Sequence, residues 1–351
     1  MLDLKARPLL VYWELTRACE LACRHCRAEA VPDRSPDELT TEEGVLLLDR
    51  LQGFGPNLPH IVVTGGDPLK RPDLWTLIVE ARARGFTVAI TPSGTYALSP
   101  SIVKRFKDVG VWMMALSIDG SDAEKHDGIR QVPGSFEQTV RAAGWANEAG
   151  IPFQVNSLVC EQTADDLPAL YARVSSLKAA CWTLFFLVQV GRGRGLEEVS
   201  PERSERILRW TFERAAEKRL DIRTTEAPHY RRVAIGLSDG DVARVPPAIR
   251  RGFGIHDGAG VMFISHVGDV YPAGFLPLPA GNVRKGDPVD IYRDSEVFQE
   301  LRDPDMLKGR CGRCEYRSSC GGSRARAFAY TGDPLESDPL CPYEPSRTQS
   351  D

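Results

Sequence analysis

Short apolar runs and longer amphipathic stretches alternate along the first two thirds of this chain. Leu9-Leu10-Val11-Tyr12-Trp13 has the length of a buried strand, and His60-Ile61-Val62-Val63-Thr64 is a second such run. Between them, Thr41 to Leu51 carries helical spacing: Thr40 or Thr41 caps it, Glu42 and Glu43 sit in its first turn, and Val45-Leu46-Leu47-Leu48 faces a core. Residues 29–40, rich in proline and charge, read as a loop. Residues 72–84 predict the next helix, with Asp73 early and Gly85 closing it. Strands follow over residues 86–91, 112–116, 153–159 and 182–188, and helices over 101–107, 136–148, 165–177 and 202–218. Strands that alternate with helices pair in parallel through right-handed crossovers, which makes this an α/β sheet or barrel. Six strand-then-helix units are too few to close an eight-stranded barrel.

The pattern changes after residue 220. Residues 220–225 read as a strand and 229–236 as a short helix, while 238–251 mix loop signals with basic residues. Val261-Met262-Phe263-Ile264-Ser265 and Val270-Tyr271-Pro272-Ala273, on either side of Gly268-Asp269, predict a β-hairpin. Gly281-Asn282-Val283 and a helix over 290–301 follow. The expected organisation is a barrel over 1–220, a connecting segment over 221–260 and a small cysteine-rich domain over 261–351.

Composition narrows the function classes. Of 351 residues, 42% are hydrophobic and 26% charged, as in an ordinary globular protein. Lysine and arginine total 44 against 48 acidic residues, so no global basic field favours nucleic acid as a partner. No apolar run approaches the roughly 20 residues that span a bilayer, and the first eight residues, Met1 to Pro8, are too short and charged for a signal peptide. A cytoplasmic location without membrane contact is expected.

The chemistry lies in the cysteines, seven of whose nine members fall into two clusters. Cys19, Cys23 and Cys26 form a CxxxCxxC loop just after the first strand. An iron–sulfur cluster normally takes four protein ligands, so three thiolates leave one iron open, and an open metal position marks catalysis. A zinc knuckle or a disulfide pair is the bland alternative, with His25 as a possible ligand. Cys311, Cys314, Cys320 and Cys341 supply a complete set of four for a second cluster or for zinc. Cys160 and Cys181 lie in apolar, strand-like segments and are expected to be inert core thiols. The first cysteine loop, Gly65-Gly66-Asp67, Ser93-Gly94, Ser117-Ile118-Asp119 and Gly191-Arg192-Gly193 all follow the C-terminal ends of different strands, the edge on which parallel barrels build active sites. The glycine–arginine tract over residues 191–195 has no interleaved aromatics and reads as a flexible rim loop, not a phosphate or RNA site. His229, Tyr230, His256 and His266 are potential substrate contacts or general acids, although an isolated histidine is more often structural.

The cysteine loop and its position resemble the radical S-adenosylmethionine (SAM) superfamily. That resemblance implies a partial (β/α)6 TIM-like barrel, a 4Fe-4S cluster on Cys19, Cys23 and Cys26, and SAM chelated by the open iron. It further implies reductive cleavage of SAM to methionine and a 5′-deoxyadenosyl radical that abstracts hydrogen from a substrate. Gly65-Gly66-Asp67-Pro68 is similar to the family's GGE(P) motif, which implies that the glycines let backbone approach SAM and expose carbonyl and carboxylate oxygens to its methionyl ammonium; Asp67 stands in place of the usual glutamate, one methylene shorter, and is expected to keep that role. Ser117 matches the residue for the SAM ribose or carboxylate, Ser93 and Asn156 are weaker candidates, and His25 stands where the family usually packs an aromatic ring near the adenine.

The hairpin, Gly281-Asn282 and the last four cysteines resemble the SPASM/twitch extension of these enzymes, where the matching cysteines hold an auxiliary 4Fe-4S cluster. Ala273 and Ser323-Arg324 replace cysteines that many members use for a further cluster, so two clusters in total are implied. Pro272-Ala273-Gly274-Phe275-Leu276-Pro277, the stretch 320–327 and Tyr330-Thr331-Gly332-Asp333-Pro334 are similar to the branch of heme d1 and alternative heme biosynthesis, which removes or oxidises acetate and propionate side chains. A ribosomal peptide maturase is the rival reading. The short stretch before the first strand has no room for an added leader-binding domain, which lowers it. A non-enzymatic iron–sulfur or zinc scaffold is the reading from another class. The implied partners are a small-molecule or peptide substrate and an external electron donor such as flavodoxin or ferredoxin.

Overall fold

The computed structural model describes residues 3–345. The chain enters its sheet at β1 (Leu10–Glu14), passes through the cysteine loop, and crosses by α1 (Thr41–Leu51) to β2 (His60–Thr64), which pairs with β1 in parallel. Thr40 caps α1 reciprocally: its hydroxyl accepts the Glu43 N–H while the Glu43 carboxylate accepts the Thr40 N–H. The step repeats through α2 (Leu74–Ala83), β3 (Val88–Ile90), α3 (Pro100–Asp108) and β4 (Met113–Ser117). Two helices, α4 (Ala123–Arg130) and α5 (Ser135–Ala149), precede β5 (Phe153–Val159). Then α6 (Leu167–Ser176), β6 (Cys181–Phe186) and α7 (Pro201–Ala216) complete six units. Strands β1 to β6 are parallel neighbours in chain order, as an open α/β barrel requires.

The sheet continues past this series. Strand β7 (Asp221–Thr225) pairs with β6, and α8 (Tyr230–Gly236) and α9 (Pro247–Arg250) follow it. Strand β8 (Val261–Ile264) then pairs in parallel with the other edge of β1, and β9 (Asp269–Tyr271) and β10 (Gly281–Asn282) extend it antiparallel. The order is β10-β9-β8-β1-β2-β3-β4-β5-β6-β7, so the C-terminal hairpin is hydrogen-bonded to the barrel itself. The single helix expected over 290–301 is two, α10 (Pro288–Asp294) and α11 (Glu296–Arg302), because Ser295 takes an extended conformation between them. The turn α12 (Gly309–Gly312) and α13 (Arg324–Thr331) complete the cysteine-rich region.

Side chains alternate across each strand, and the two faces of this sheet differ sharply. Val11, Ile61, Val88, Ile90, Met114 and Val155 are fully buried beneath the helices. Tyr12, Val62, Ala89, Ala115, Ser117 and Asn156 point the other way and are only half-buried, and Arg223 on the same face is exposed. An eight-stranded barrel fills this inner face with packed side chains; the open barrel leaves it as a concave, partly wet wall. Among the described residues no helix is long and apolar enough to cross a membrane.

Candidate active site

The cysteine loop leaves β1 over a buried anchor. Arg71 donates to the Leu15 and Leu39 carbonyls and pairs with Glu38 at 3.4 Å, both side chains being almost completely buried. The backbone of the Gly65-Gly66-Asp67 loop then runs directly beneath it: Gly66 N–H donates to Thr16 O and Asp67 N–H to Ala18 O, each at 2.7 Å. A Cβ on Gly65 would stand 2.5 Å from Thr16 O, and one on Gly66 would stand 2.5 Å from Ala18 O and 2.6 Å from Arg17 O. These glycines also have a packing reason: they seat the cysteine loop against the β2 exit, and that contact by itself excludes a side chain at both positions.

Asp67 is placed differently from expectation. It is wholly buried, with Oδ1 accepting the Leu69 and Ser93 N–H groups at 3.1 and 3.4 Å and Oδ2 accepting the Thr95 hydroxyl at 3.2 Å. Burial pushes its carboxyl above the usual aspartate range. The shorter side chain turns inward and braces the loops after β2 and β3, where a reach toward an ammonium group had been expected. Ser93 donates its hydroxyl to Gly66 O at 2.9 Å and lies 3.4 Å from Cys19 Sγ.

All three sulfurs meet N–H or O–H groups. Cys19 Sγ accepts from Leu21 N–H at 3.3 Å, Cys26 Sγ from Ala30 N–H at 3.4 Å, and Cys23 Sγ from Arg130 Nη1 at 3.6 Å. Such bonds to sulfur orient and tune metal-binding thiolates. Residues 191–195 form a tight 3₁₀ turn locked to the loop, where a flexible rim had been expected: Arg192 donates to Cys23 O at 2.9 Å and Ala30 O at 3.0 Å, and its N–H to Cys26 O at 3.1 Å. Gly191 has φ +53, and a Cβ there would stand 2.5 Å from Arg27 O.

Four buried nitrogens on or against this loop have no hydrogen-bond partner among the described residues: Arg17 Nε, His25 Nδ1, Arg130 Nε and Arg192 Nη2. Native interiors rarely leave such atoms unmatched, and four around one three-thiol loop fit a site built for a polar or anionic group. Burial holds the His25 imidazole down at about 4, so the ring is neutral at pH 7. Ser117 and Asn156 are cross-strand partners on the inner face, and Asn156 Oδ1 accepts from Gln154 Nε2 at 2.6 Å.

Cys311, Cys314, Cys320 and Cys341 together line one small recess. Cys311 Sγ accepts from Arg324 Nη2 at 3.6 Å and Asp338 N–H at 3.4 Å, and Cys341 Sγ from Arg232 Nη2 at 3.8 Å. Arg324 thus serves the four-cysteine set, and Ala273 is buried in an apolar cluster. Among the described residues no three His, Cys, Asp or Glu side chains converge on a point as they would for a single metal ion. The thiolates of an iron–sulfur cluster bind different irons and need not converge in that way. Cys160 and Cys181 are buried, as expected of core thiols.

The sequence profile of the radical SAM superfamily matches residues 13–174. The AdoMet-dependent heme synthase of Methanosarcina barkeri strain Fusaro is 38% identical over 352 aligned residues, covering 99% of this chain and 100% of that protein. The chain belongs to the radical SAM superfamily. The pre-heme d1 synthase of Dinoroseobacter shibae is 30% identical, over 95% of this chain and 85% of that protein. Among solved structures, anSMEcpe with bound AdoMet superposes with a TM-score of 0.73 at 17% identity, covering 95% of this chain and 94% of that one, and shares its fold.

As a radical SAM enzyme the protein works with a 4Fe-4S cluster and SAM. When bound, the cluster supplies the electron that splits SAM into methionine and a 5′-deoxyadenosyl radical, and the protein's share is to hold and shield the reactants. Several residues serve the site through contacts that no short window of sequence records. Arg130 and Arg192 reach the cysteine loop from 107 and 169 residues away. Glu14, at the end of β1 and almost fully buried, pairs with Arg27 at 2.6 Å and with His266 at 2.9 Å, while the Arg27 guanidinium lies 4.5 Å from the Phe263 ring centre. Burial alone would raise Glu14, but Arg27 and His266 outweigh it and hold the carboxyl at about 2. His266, read as an isolated histidine, is thus hydrogen-bonded to the Glu14 carboxylate that pairs with Arg27. His229 is fully buried on Ser204 at 2.9 Å, and His256 contacts the Asp257 carbonyl, both structural partners.

Proposed function

We propose that this radical SAM enzyme alters carboxylate-bearing side chains of a heme-type tetrapyrrole precursor. In this reading Cys19, Cys23 and Cys26 ligate the SAM-binding 4Fe-4S cluster, and Cys311, Cys314, Cys320 and Cys341 ligate an auxiliary 4Fe-4S cluster. Gly65, Gly66, Ser93, Ser117, Asn156 and His25 border SAM, with Asp67 bracing the loop behind it. Residues 1–220 act as the catalytic barrel, 221–260 as a connector that lends it a strand, and 261–351 as the auxiliary-cluster region. Electrons come from an external flavodoxin- or ferredoxin-type donor, and the enzyme works in the cytoplasm.

One observation carries the substrate class: likeness to a heme synthase runs through the whole chain, across both cysteine groups and the barrel between them. The inner barrel wall supports it. It is half-wet, with Arg27, paired with Glu14, beside the cysteine loop and Arg223, paired with Asp221, exposed on β7; a substrate carboxylate would add to or exchange with those pairs.

Anaerobic 5′-deoxyadenosine formation from SAM with a reductant tests the reading, comparing no substrate, iron porphyrins bearing propionate side chains, siroheme derivatives and candidate peptides. Strong stimulation by a tetrapyrrole, with loss of its carboxyl carbon or oxidation of its side chain by mass spectrometry, is the expected result. Stimulation by peptide alone would overturn the substrate class in favour of peptide maturation.

A further inference from the structure

Arg130 is the last residue of α4, and its side chain lies between two partners. One terminal nitrogen, Nη1, is 3.6 Å from Cys23 Sγ, and the other, Nη2, is 2.6 Å from Asp119 Oδ2. The contact is well shielded from solvent, with 12% of the Arg130 side chain and 1% of Asp119 exposed. Asp119 is itself fixed, because its Oδ1 accepts the Leu158 N–H at 2.7 Å and its own N–H donates to His126 Nδ1 at 3.1 Å. The helix end is tied to the cysteine loop one residue to the side, where Arg24 N–H donates to Ile129 O at 2.9 Å. Neither member of the Asp119–Arg130 pair has freedom to drift from Cys23.

We propose that Arg130 sets the reduction potential of the SAM-binding cluster by donating a charged hydrogen bond to the Cys23 sulfur, and that Asp119 positions the guanidinium and moderates its charge. The proposal rests on Cys23 being a cluster ligand. One-electron reduction adds a negative charge to a group already surrounded by thiolates. A cation bonded to one of those sulfurs favours the reduced state, and it does so strongly where solvent is excluded. The Asp119 carboxylate acts in the opposite direction, since it brings a negative charge to the same place. Arg130 Nε, which has no partner among the described residues, leaves the guanidinium with donor capacity to spare on the same side chain.

The two members of one ion pair therefore shift the potential in opposite directions, which a merely structural brace would not do. The test uses the full chain with its iron–sulfur clusters reconstituted anaerobically, in a C311A background so that the auxiliary signal is removed. The midpoint potential is read by electron paramagnetic resonance during redox titration, without SAM, alongside iron and sulfide content and SAM affinity. R130Q is expected to lower the midpoint by at least 59 mV, a tenfold loss in the one-electron reduction equilibrium. R130K, which keeps the charge, stays nearer the parent, and D119N raises the midpoint.

If D119N does not fold, the comparison of R130Q with R130K decides. An unchanged midpoint in R130Q overturns the proposal, as does a shift of the same sign in R130Q and D119N, or iron loss in R130Q and R130K alike. Lost SAM affinity at unchanged potential also overturns it and makes Arg130 a SAM ligand instead. C23A separates the premise from the inference: a SAM-binding cluster that survives in C23A removes Cys23 as a ligand, whatever Arg130 does.

Discussion

Gly66→Ala probes the central packing argument with a single methyl group. The added Cβ would meet the Ala18 carbonyl oxygen at 2.5 Å and the Arg17 carbonyl oxygen at 2.6 Å, whereas ordinary contact begins at 3.4 Å. The opposing atoms are backbone, so no rotamer change relieves the clash, and about 0.9 Å of separation has to come from moving the cysteine loop off β2. Overpacking of this kind costs about 1–3 kcal/mol, which for a chain of this size lowers Tm by about 1–4 °C. The effect on turnover is larger, because the displaced segment carries Cys19 and sits beside Cys23. A misplacement near 1 Å at a reacting centre costs on the order of 100-fold in rate.

The assay pairs a thermal melt with iron content and anaerobic 5′-deoxyadenosine formation. Gly144→Ala is the matched control. It lies within α5 with no atom inside 4 Å of a built Cβ, so it should stabilise the protein by up to about 1 kcal/mol through helix propensity and leave turnover alone. A G66A enzyme with parental Tm, iron content and rate would refute the account of the double glycine.

Other consequences follow from buried charge and from the second cysteine set. Arg326 is fully buried, pairs with Glu198 at 2.7 Å and Asp338 at 3.5 Å, and donates to the Leu187 and Glu226 carbonyls; R326M strands two carboxylates and should cost about 3–5 kcal/mol by urea denaturation. C341A should reduce iron from about eight to about four atoms per chain, with the SAM-perturbed cluster signal retained; zinc found at that site in the parent protein would overturn the auxiliary-cluster assignment. Glu14, held at about 2 against an ordinary 4.5, contributes about 3 kcal/mol that is fully present above pH 4.5 and is lost as pH falls toward 2. The urea midpoints of the parent and E14Q should therefore differ at pH 7 and converge on acidification, and a gap that stays constant with pH would argue against the ionic cluster.

The strands and most helices were legible because their evidence is local. A buried strand such as Phe153–Val159 or a capped amphipathic helix such as Thr41–Leu51 writes its period directly into its own residues, and both have the bounds expected from sequence. Helix α4 was missed for the same reason in reverse. It is eight residues long, contains Gly128, and buries only His126 and Ile129, too few positions to establish a period. With it went Arg130, the residue on which the inference about the cluster potential depends.

By itself, the sequence determined the α/β alternation, the two cysteine groups, the strand ends that carry the rim motifs, and membership in a cofactor-dependent enzyme class. Those features are set by residue type at short spacing, and short spacing survives without a fold. Only the tertiary structure decided that β8 closes onto β1, that the double glycine seats the cysteine loop, that Asp67 turns inward, that Arg130 and Arg192 reach that loop, and that His266 meets Glu14. Each of these is a contact between segments far apart in the chain, and such a contact depends on the angle at which whole elements meet. No window of neighbouring residues records that angle.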